Sequence, residues 1–490
     1  MIMAQLNVTD LTFYYDGSYD TIFDNVSFQI DSDWKLGFVG RNGRGKTTFL
    51  NLLMKKYEYK GTISSPVSFD YFPFPVTDKS QNTIDIVEMI YPDYELWKVC
   101  KELTLLEVDC EVLYRPFETL SNGEQTKVLL AVLFSKENNF LLIDEPTNHL
   151  DMNTRIVVMN YLKGKKGFIL VSHDRFFLDG CIDHVLAINK ANIEVMQGNF
   201  STWWENKKNQ DEYELAENEK LKKDIKRLSE AAKRTENWSD QIEKSKIGSH
   251  SPDRGIIGHK SAKMMKRAKA IENRSLTALD EKSKLLKNIE DTDELKIIPL
   301  KHHKSTLVNV ENLSVTYGDR TIFDHINFSI SNGKRIVLQG KNGCGKSSIL
   351  KIILGEDIPC NGKVEIASGL VISYVSQDTS NLSGNLSDFA KEHHLEESLF
   401  KALLRKLDFT RLQFEKNIED FSGGQKKKVL IAKSLCEQAH LYIWDEPLNY
   451  IDIFSRMQIE KLIKQYEPTM LLVEHDKTFV NEIATDIIQI

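Results

Sequence analysis

Six short runs of the chain are almost wholly apolar. The first half carries LGFV from Leu36, FLLI from Phe140 and FILV from Phe168; the second carries IVL from Ile336, LYIW from Leu441 and MLLV from Met470. Short apolar runs between glycines and charges read as strands buried on both faces, as in a parallel sheet. The runs at Leu36 and Ile336 each lead through a glycine-rich turn into a helical stretch, the strand–turn–helix order of an α/β fold. Between the halves the pattern changes. Residues 205–290 are rich in Lys, Glu, Leu and Ala and contain one proline. Leu221, Ile225, Leu228 and Ala232 step by four, three and four, which places them on one helical face; Met264, Ala268, Ile271 and Ser275 repeat that spacing with a polar end. The stretch IGSHSPDRGIIG at 247–258 has the glycines and proline of a loop. Two long antiparallel helices joined at a tip are predicted, the first over 206–246 and roughly 60 Å long at about 1.5 Å per residue.

The chain also repeats itself. LTFYYDGSYDTIFDNVSFQI from Leu11 matches LSVTYGDRTIFDHINFSI from Leu313, and GRNGRGKTT from Gly40 matches GKNGCGKSS from Gly340. LSNGEQTKVLLA from Leu120 matches FSGGQKKKVLIA from Phe421, LLIDEPTNHLD from Leu141 matches YIWDEPLNYID from Tyr442, and VSHD from Val171 matches VEHD from Val473. The offset is 300 at Lys46 and Lys346, 301 at Glu145 and Glu446, and 302 at His173 and His475. Five blocks in one order at a nearly constant offset make the halves two copies of one domain. Residues 1–200 and 301–490 are the expected copies, with 201–300 as the linker domain.

The composition, 41% hydrophobic and 28% charged over 490 residues, supports buried cores rather than disorder. No run approaches the length of a membrane helix, and residues 1–10 lack the pattern of a signal peptide. Cys100, Cys110, Cys181, Cys344, Cys360 and Cys436 are scattered without a CxxC pair, as reduced thiols in a cytosolic protein would be.

Gly40, Asn42, Gly43, Gly45, Lys46 and Thr47, and likewise Gly340, Asn342, Gly343, Gly345, Lys346 and Ser347, belong to two matches to GxxxxGK[ST], and Thr48 and Ser348 follow them as further candidate nucleotide-binding residues. Such a loop curls backbone N–H groups around phosphates, its lysine neutralises the β and γ charges, and its hydroxyl can ligand Mg²⁺. One match could be a functionless turn; two in matched context are not. Asp144 and Asp445 end apolar strands, as carboxylates that hold Mg²⁺ through water do. Glu145 and Glu446 follow them, placed to polarise an attacking water. His173 and His475 follow the next apolar strand as candidate γ-phosphate sensors, although a lone histidine is more often structural. Tyr15 and Tyr317 precede the two loops; adenine stacking and plain core packing are both open for them. Trp444 is bulky for its strand and is expected to alter packing there.

The order of these motifs, with LSNGEQ and FSGGQ between them, resembles ATP-binding cassettes over about four-fifths of the chain. The resemblance implies an α/β fold of two tandem P-loop cassettes joined by a helical hairpin, without a transmembrane domain, and an ATPase that uses ATP and Mg²⁺. It implies cassettes facing head to tail. Lys46, Asp144, Glu145 and His173 would then share a site with Ser422, Gly423 and Gly424; Lys346, Asp445, Glu446 and His475 would share one with Ser121 and Gly123. Gln377 stands where the family approaches Mg²⁺, but Phe74 occupies that place in the first half. Asn122 replaces a signature glycine, and Leu448, Asn449 and Tyr450 replace Thr147, Asn148 and His149, so unequal sites are expected.

Two cassettes on one chain with a long charged linker resemble the ABC-F group of ribosome-associated translation factors. LSNGEQTKVLLA, YFPFPV from Tyr71 and IWDEPLNYID from Ile443 look like the Lsa-type antibiotic-resistance proteins. The interval from Phe74 to Leu120 is 46 residues, against 44 from Gln377 to Phe421, which leaves little room for an extra arm in the first cassette. The net charge of −7 conceals a cationic tip. Lys244, Lys246, Arg254, Lys260, Lys263, Lys266, Arg267, Lys269 and Arg274 stand there against only Asp253 and Glu272. Such a tip on an acidic body is the footprint of a local nucleic-acid contact or, on charge alone, a merely solvated hairpin. Ile256, Ile257, His250 and His259 could add stacking or apolar contact with bases. The resemblance implies as partners the 70S ribosome at its E site, with 23S rRNA and P-site tRNA, and no membrane or DNA. It implies a cytoplasmic, ribosome-associated monomer that protects against lincosamides, pleuromutilins and streptogramin A. A housekeeping translation factor, a DNA-clamping ATPase and a transporter subunit are the alternatives.

Overall fold

A computed structural model describes residues 5–15, 21–137, 139–148, 150–189, 192–244, 295–318 and 320–490, with scattered positions between 259 and 277. Each half is built around one mostly parallel sheet. In the first half the strand order is Ser68–Phe72, Asn139–Asp144, Phe168–Val171, Lys35–Val39, His184–Asn189, Asn192–Gln197, and only the last pairing is antiparallel. In the second half it is Ile372–Val375, Leu441–Asp445, Met470–Val473, Arg335–Gln339, Asp486–Gln489, all parallel. The apolar runs are these central strands. Phe168–Val171 and Met470–Val473 are buried at every residue, because helices cover both faces of a parallel sheet. A three-stranded antiparallel sheet flanks each: Thr21–Asp31, Gln5–Tyr14 and Lys60–Ser64, and its counterpart Arg320–Ser331, Thr306–Tyr317 and Cys360–Ile366.

Register decides what this fold places together. Val171 lies opposite both Phe38 and Asp144, and Val473 opposite both Leu338 and Asp445. The glycine-rich turn, the acidic strand end and the histidine loop therefore emerge at one level on the C-terminal edge of each sheet, where open α/β folds bind ligands. The helix Lys46–Leu53 is fixed there by Phe49, whose ring packs 5.5 Å from Phe38, 5.7 Å from Phe28 and 6.0 Å from Phe23.

Trp444 is wholly buried, and the structure shows how its bulk is accommodated. Its indole N–H donates to Ser434 Oγ at 2.9 Å. At the matching offset of 301 the first half has Ile143 and Leu133. A large residue facing a small hydroxyl thus replaces two medium aliphatics, and the indole gains the partner that a buried Trp requires.

The two halves together form one compact unit, Met1–Ser201 with Thr292–Ile490, and Thr202–Asp291 forms a second. The helix that enters the second unit runs over Phe200–Lys244, 45 residues, so it begins six residues before the predicted start. Gly198, at φ 126°, turns the chain there, and Asp179 accepts the first-turn N–H of Ser201 at 2.8 Å. His259, Lys263, Lys266, Arg267, Lys269 and Arg274 are helical and exposed. Lys246, His250, Arg254, Ile256, Ile257 and Lys260 lie outside the described residues, as do the side chains of Lys244 and Tyr317. No described helix is long and apolar enough to cross a membrane.

Candidate functional site

Two cavities lie on the junction of the halves, and each is lined from both sides. The first, about 450 Å³, has Asn42, Gly43, Lys46, Thr47, Asp144, Glu145 and His173 on one wall; Ser422, Gly423, Gly424, Lys428 and Tyr450 form the other, with Asp408, Phe409 and Gln413. The second, about 380 Å³, has Asn342, Gly343, Gly345, Lys346, Ser347, Ser348, Gln377, Glu446 and His475 facing Asn122, Leu150 and Arg155. Each P-loop thus faces residues of the opposite half, as the family resemblance implies. The two walls differ in one respect. Ser422 and Gly424 line the first cavity, but of the first half's signature only Asn122 lines the second, not Ser121 or Gly123.

The signature serines carry a structural duty. Ser121 accepts from the Glu124 N–H while Glu124 accepts from the Ser121 N–H; Ser422 and Gln425 do the same. These reciprocal capping boxes start the helices Asn122–Ser135 and Gly423–Cys436; the latter presents Gly423 and Gly424 of its first turn to the first cavity, and the former presents Asn122 to the second.

Within the first cavity Lys46 Nζ donates to the Gly40 carbonyl at 2.6 Å and the Arg41 carbonyl at 3.1 Å. Burial lowers its pKa, opposed by the charges of Asp452, Glu145 and Asp144. Gly45 holds φ 94°, and a Cβ there would meet Ile22 at 2.6 Å, so only glycine fits the turn. Thr47 Oγ1 donates to Asp144 Oδ2 at 3.1 Å, and the Tyr71 hydroxyl donates to the same oxygen at 2.9 Å. Tyr71 opens the YFPFPV stretch, a pattern that gives it no role at the nucleotide site. In the second cavity Lys346 Nζ donates to the Gly340 and Lys341 carbonyls at 2.9 Å each. Ser347 hydrogen-bonds Asp445, whose other oxygen, Oδ1, is buried with no hydrogen-bond partner among the described residues.

The glutamates turn away from their strands through left-handed backbone, φ 51° at Glu145 and 45° at Glu446, a state that non-glycine residues rarely hold outside functional turns. Their surroundings differ. Glu446 Oε2 accepts from Gln377 Nε2 at 2.9 Å and Asn449 Nδ2 at 2.6 Å. Glu145 Oε1 is buried with no hydrogen-bond partner among the described residues, and His173 Nε2 lies 3.2 Å from it. Burial, reinforced by Asp144, pushes the Glu145 carboxyl up to about 8. Burial also keeps both histidines neutral, His173 well below its ordinary value and His475 down to about 3, the latter helped by Lys346 and by Arg155 of the opposite half. Asp445 is raised to about 6, chiefly by burial.

Tyr15 and Thr48 meet through their hydroxyls at 2.7 Å. The Tyr15 ring sits edge-on to Phe13 and Tyr57, at 5.0 and 5.8 Å, and is 41% exposed. It is an aromatic step beside the P-loop rather than a core residue, and it lines neither cavity.

The junction itself is polar and matched. Asn42 Nδ2 donates to the Tyr450 carbonyl of the opposite half at 2.8 Å, Arg41 pairs with Asp408 at 3.6 Å, and Arg175 pairs with Glu460. Arg155 binds Asp174 at 3.0 Å and the Leu150 carbonyl; Arg456 binds Asp476 at 2.9 Å and the Ile451 carbonyl. These arginines lie outside the repeated motifs, although each stands four residues after a repeated aspartate, Asp151 or Asp452.

The family model described as ABC transporter matches residues 23–148 and 323–449. Ribosome protection protein VmlR from Bacillus subtilis is 28% identical over 479 residues, 96% of this chain and 84% of that protein. Energy-dependent translational throttle protein EttA from Haemophilus influenzae is 25% identical over 520 residues, 95% and 88% of the two chains. Among solved structures, the archaeal ribosome recycling factor aABCE1, in complex with an archaeal ribosomal stalk protein, superposes with a TM-score of 0.64 at 19% identity, covering 98% of this chain and 87% of that one.

Proposed function

Because the chain belongs to the ABC transporter family, within its ABC-F group, we propose that its two ATP sites work as a clamp that lets the protein protect ribosomes from antibiotics. The chain is an ATPase that binds ATP. The observation that carries the clamp is the shared lining of both cavities: ATP on Lys46 or Lys346 needs the opposite half to complete its site. Nucleotide therefore favours the closed pair, and hydrolysis removes the bridging γ-phosphate and reopens it.

Each site offers hard oxygen donors for Mg²⁺: Thr47 and Asp144 in one, Ser347, Asp445 and Gln377 in the other. The unpartnered Asp445 Oδ1 fits such a cation, and so few protein ligands suit an ion shared with substrate phosphates. When bound, Mg²⁺ would neutralise charge developing on the β and γ oxygens. Lys46 and Lys346 hold those phosphates, Glu145 and Glu446 orient the attacking water, and neutral His173 and His475 contact the γ-phosphate.

In this reading the closed, cytoplasmic protein occupies the ribosomal E site as a monomer, beside P-site tRNA. The linker 201–300 reaches toward the peptidyl-transferase centre, and its basic tip shifts tRNA or 23S rRNA and displaces a lincosamide, pleuromutilin or streptogramin A. The exposed cations Lys263, Lys266, Arg267 and Lys269 support an RNA contact, and the naming of VmlR as a ribosome protection protein supports the outcome. The test uses the Glu145→Gln, Glu446→Gln double variant, which should keep ATP and lose turnover. It should co-sediment with 70S ribosomes, and deletion of 248–258 should abolish protection from lincomycin. Recovery with membranes, or full protection by the deletion variant, would sink the reading.

A further inference from the structure

We propose that Tyr450 is a water-positioning residue of the first site, delivered across the junction by the second half. The proposal rests on reading Glu145 as the residue that orients the attacking water. Tyr450 stands in the loop after Glu446, yet it lines the cavity that holds Lys46, Glu145 and His173. Its backbone is in the left-handed region, φ 63°, a state that a bulky side chain adopts only when its surroundings impose it. The surroundings here are the other half: Asn42 of the P-loop donates to the Tyr450 carbonyl at 2.8 Å, and the same carbonyl overhangs Gly424 so closely that no side chain fits beneath it. The strained turn and the interhalf bond together hold the phenol at the first site when the halves are closed.

The first site needs such a group. At the second site Gln377 and Asn449 fix the Glu446 carboxylate with two amide donors. At the first site Phe74 stands in the place of Gln377, and among the described residues Glu145 Oε1 has no hydrogen-bond partner, with His173 Nε2 3.2 Å away. The carboxylates that act electrostatically on the Tyr450 phenol are Glu145 first and Glu446 second. A phenol both donates and accepts. It can accept one hydrogen of the water while Glu145 accepts the other, or donate to a γ-phosphate oxygen. The water oxygen then bonds to the γ-phosphorus, the bond to the bridging oxygen breaks, and ADP leaves with the electron pair. The water's proton passes to Glu145 or to phosphate, and Tyr450 keeps its own. Because the phenol arrives with the opposite half, water is ordered at this site only in the closed state. The first half's equivalent, by sequence, is His149.

The test isolates one site at a time. In a Glu446→Gln background only the first site turns over. There Tyr450→Phe should lower kcat about tenfold, the loss expected of one uncharged hydrogen bond, with KM and binding of a fluorescent ATP analogue little changed. Tyr450→His, which restores a polar donor, should recover most of the rate. The loss should exceed that in a Glu145→Gln background by about tenfold. An unaltered kcat in the Glu446→Gln background, or equal losses in both backgrounds, would overturn the proposal and leave Tyr450 a strut of the junction. Full turnover by the double Gln variant would overturn the glutamate reading itself, and this proposal with it.

Discussion

Gly424→Ala should disable the first ATP site far more than Gly123→Ala disables the second, although both are the same glycine of the repeated signature. A methyl group at Gly424 would lie 2.4 Å from the Tyr450 carbonyl oxygen, and real Cβ contacts stop near 3.0 Å, so the carbonyl must move by at least about 0.6 Å. That oxygen accepts the interhalf bond from Asn42. Overpacking against backbone costs about 1–3 kcal/mol, and loss of the bond adds about 1 kcal/mol. Together they place about 2–4 kcal/mol against the closed state, roughly 30-fold to 700-fold in its population. At Gly123 the added methyl meets only the Thr154 side chain, at 3.2 and 3.4 Å, which can give by a few tenths of an ångström; about 1 kcal/mol or less is expected there. Neither glycine needs a left-handed backbone, so alanine does not oppose the helix at either place. The assay is steady-state ATPase with one site silenced. Gly424→Ala in the Glu446→Gln background should lose at least about tenfold in kcat/KM, and Gly123→Ala in the Glu145→Gln background less than about fivefold. Comparable small losses at both glycines would refute the geometry.

Two further predictions concern stability. The Glu145 carboxyl, raised to about 8 by burial, keeps a proton in the folded state that the unfolded chain has already lost above its ordinary value. The folded state therefore binds more protons across that window, and stability falls as pH rises through it. In nucleotide-free protein Glu145→Gln should raise Tm relative to wild type by an amount that grows from pH 5 to pH 8; a pH-independent difference in scanning fluorimetry would exclude the buried, protonated carboxyl. Trp444→Ile should destabilise the second half by about 3 kcal/mol through the cavity it leaves and the lost bond to Ser434, whose hydroxyl keeps its 2.7 Å bond with Ser373, and Ser434→Leu should be overpacked on its own. The double change, which copies Ile143 and Leu133, should recover much of both losses in a denaturant-based cycle; strict additivity would show that the two side chains are not coupled.

What could be read along the chain, and what could not, follows from how local each determinant is. The P-loops, Asp144 and Asp445, their glutamates and the switch histidines were legible because each sits at the end of an apolar strand, and the parallel register of Phe38, Val171 and Asp144 then gathers strand ends at one edge. The capping boxes at Ser121 and Ser422 are just as local, each pairing a serine with the Glu or Gln three residues later. Contacts across the junction were not. Nothing in the spacing of GRNGRGKTT or DEPLNYID shows that Asn42 will bind the Tyr450 carbonyl, or that Arg155 will face Lys346. Those pairings join surfaces distant in sequence, 408 residues apart for Asn42 and Tyr450. The same holds for Trp444: its size was visible, but the hydroxyl that receives its N–H lies on another element, at Ser434. The asymmetry of the sites joins both kinds of information. The sequence marks Phe74, Asn122 and Tyr450 as departures from the repeat, and only the fold shows that Tyr450 of the second half lines the cavity that holds Glu145 of the first. A substitution that looks like decay in one copy of the domain, Phe74, and another that looks like drift in the other copy, Tyr450, become one event if the phenol takes over the ordering of water at Glu145, as proposed above.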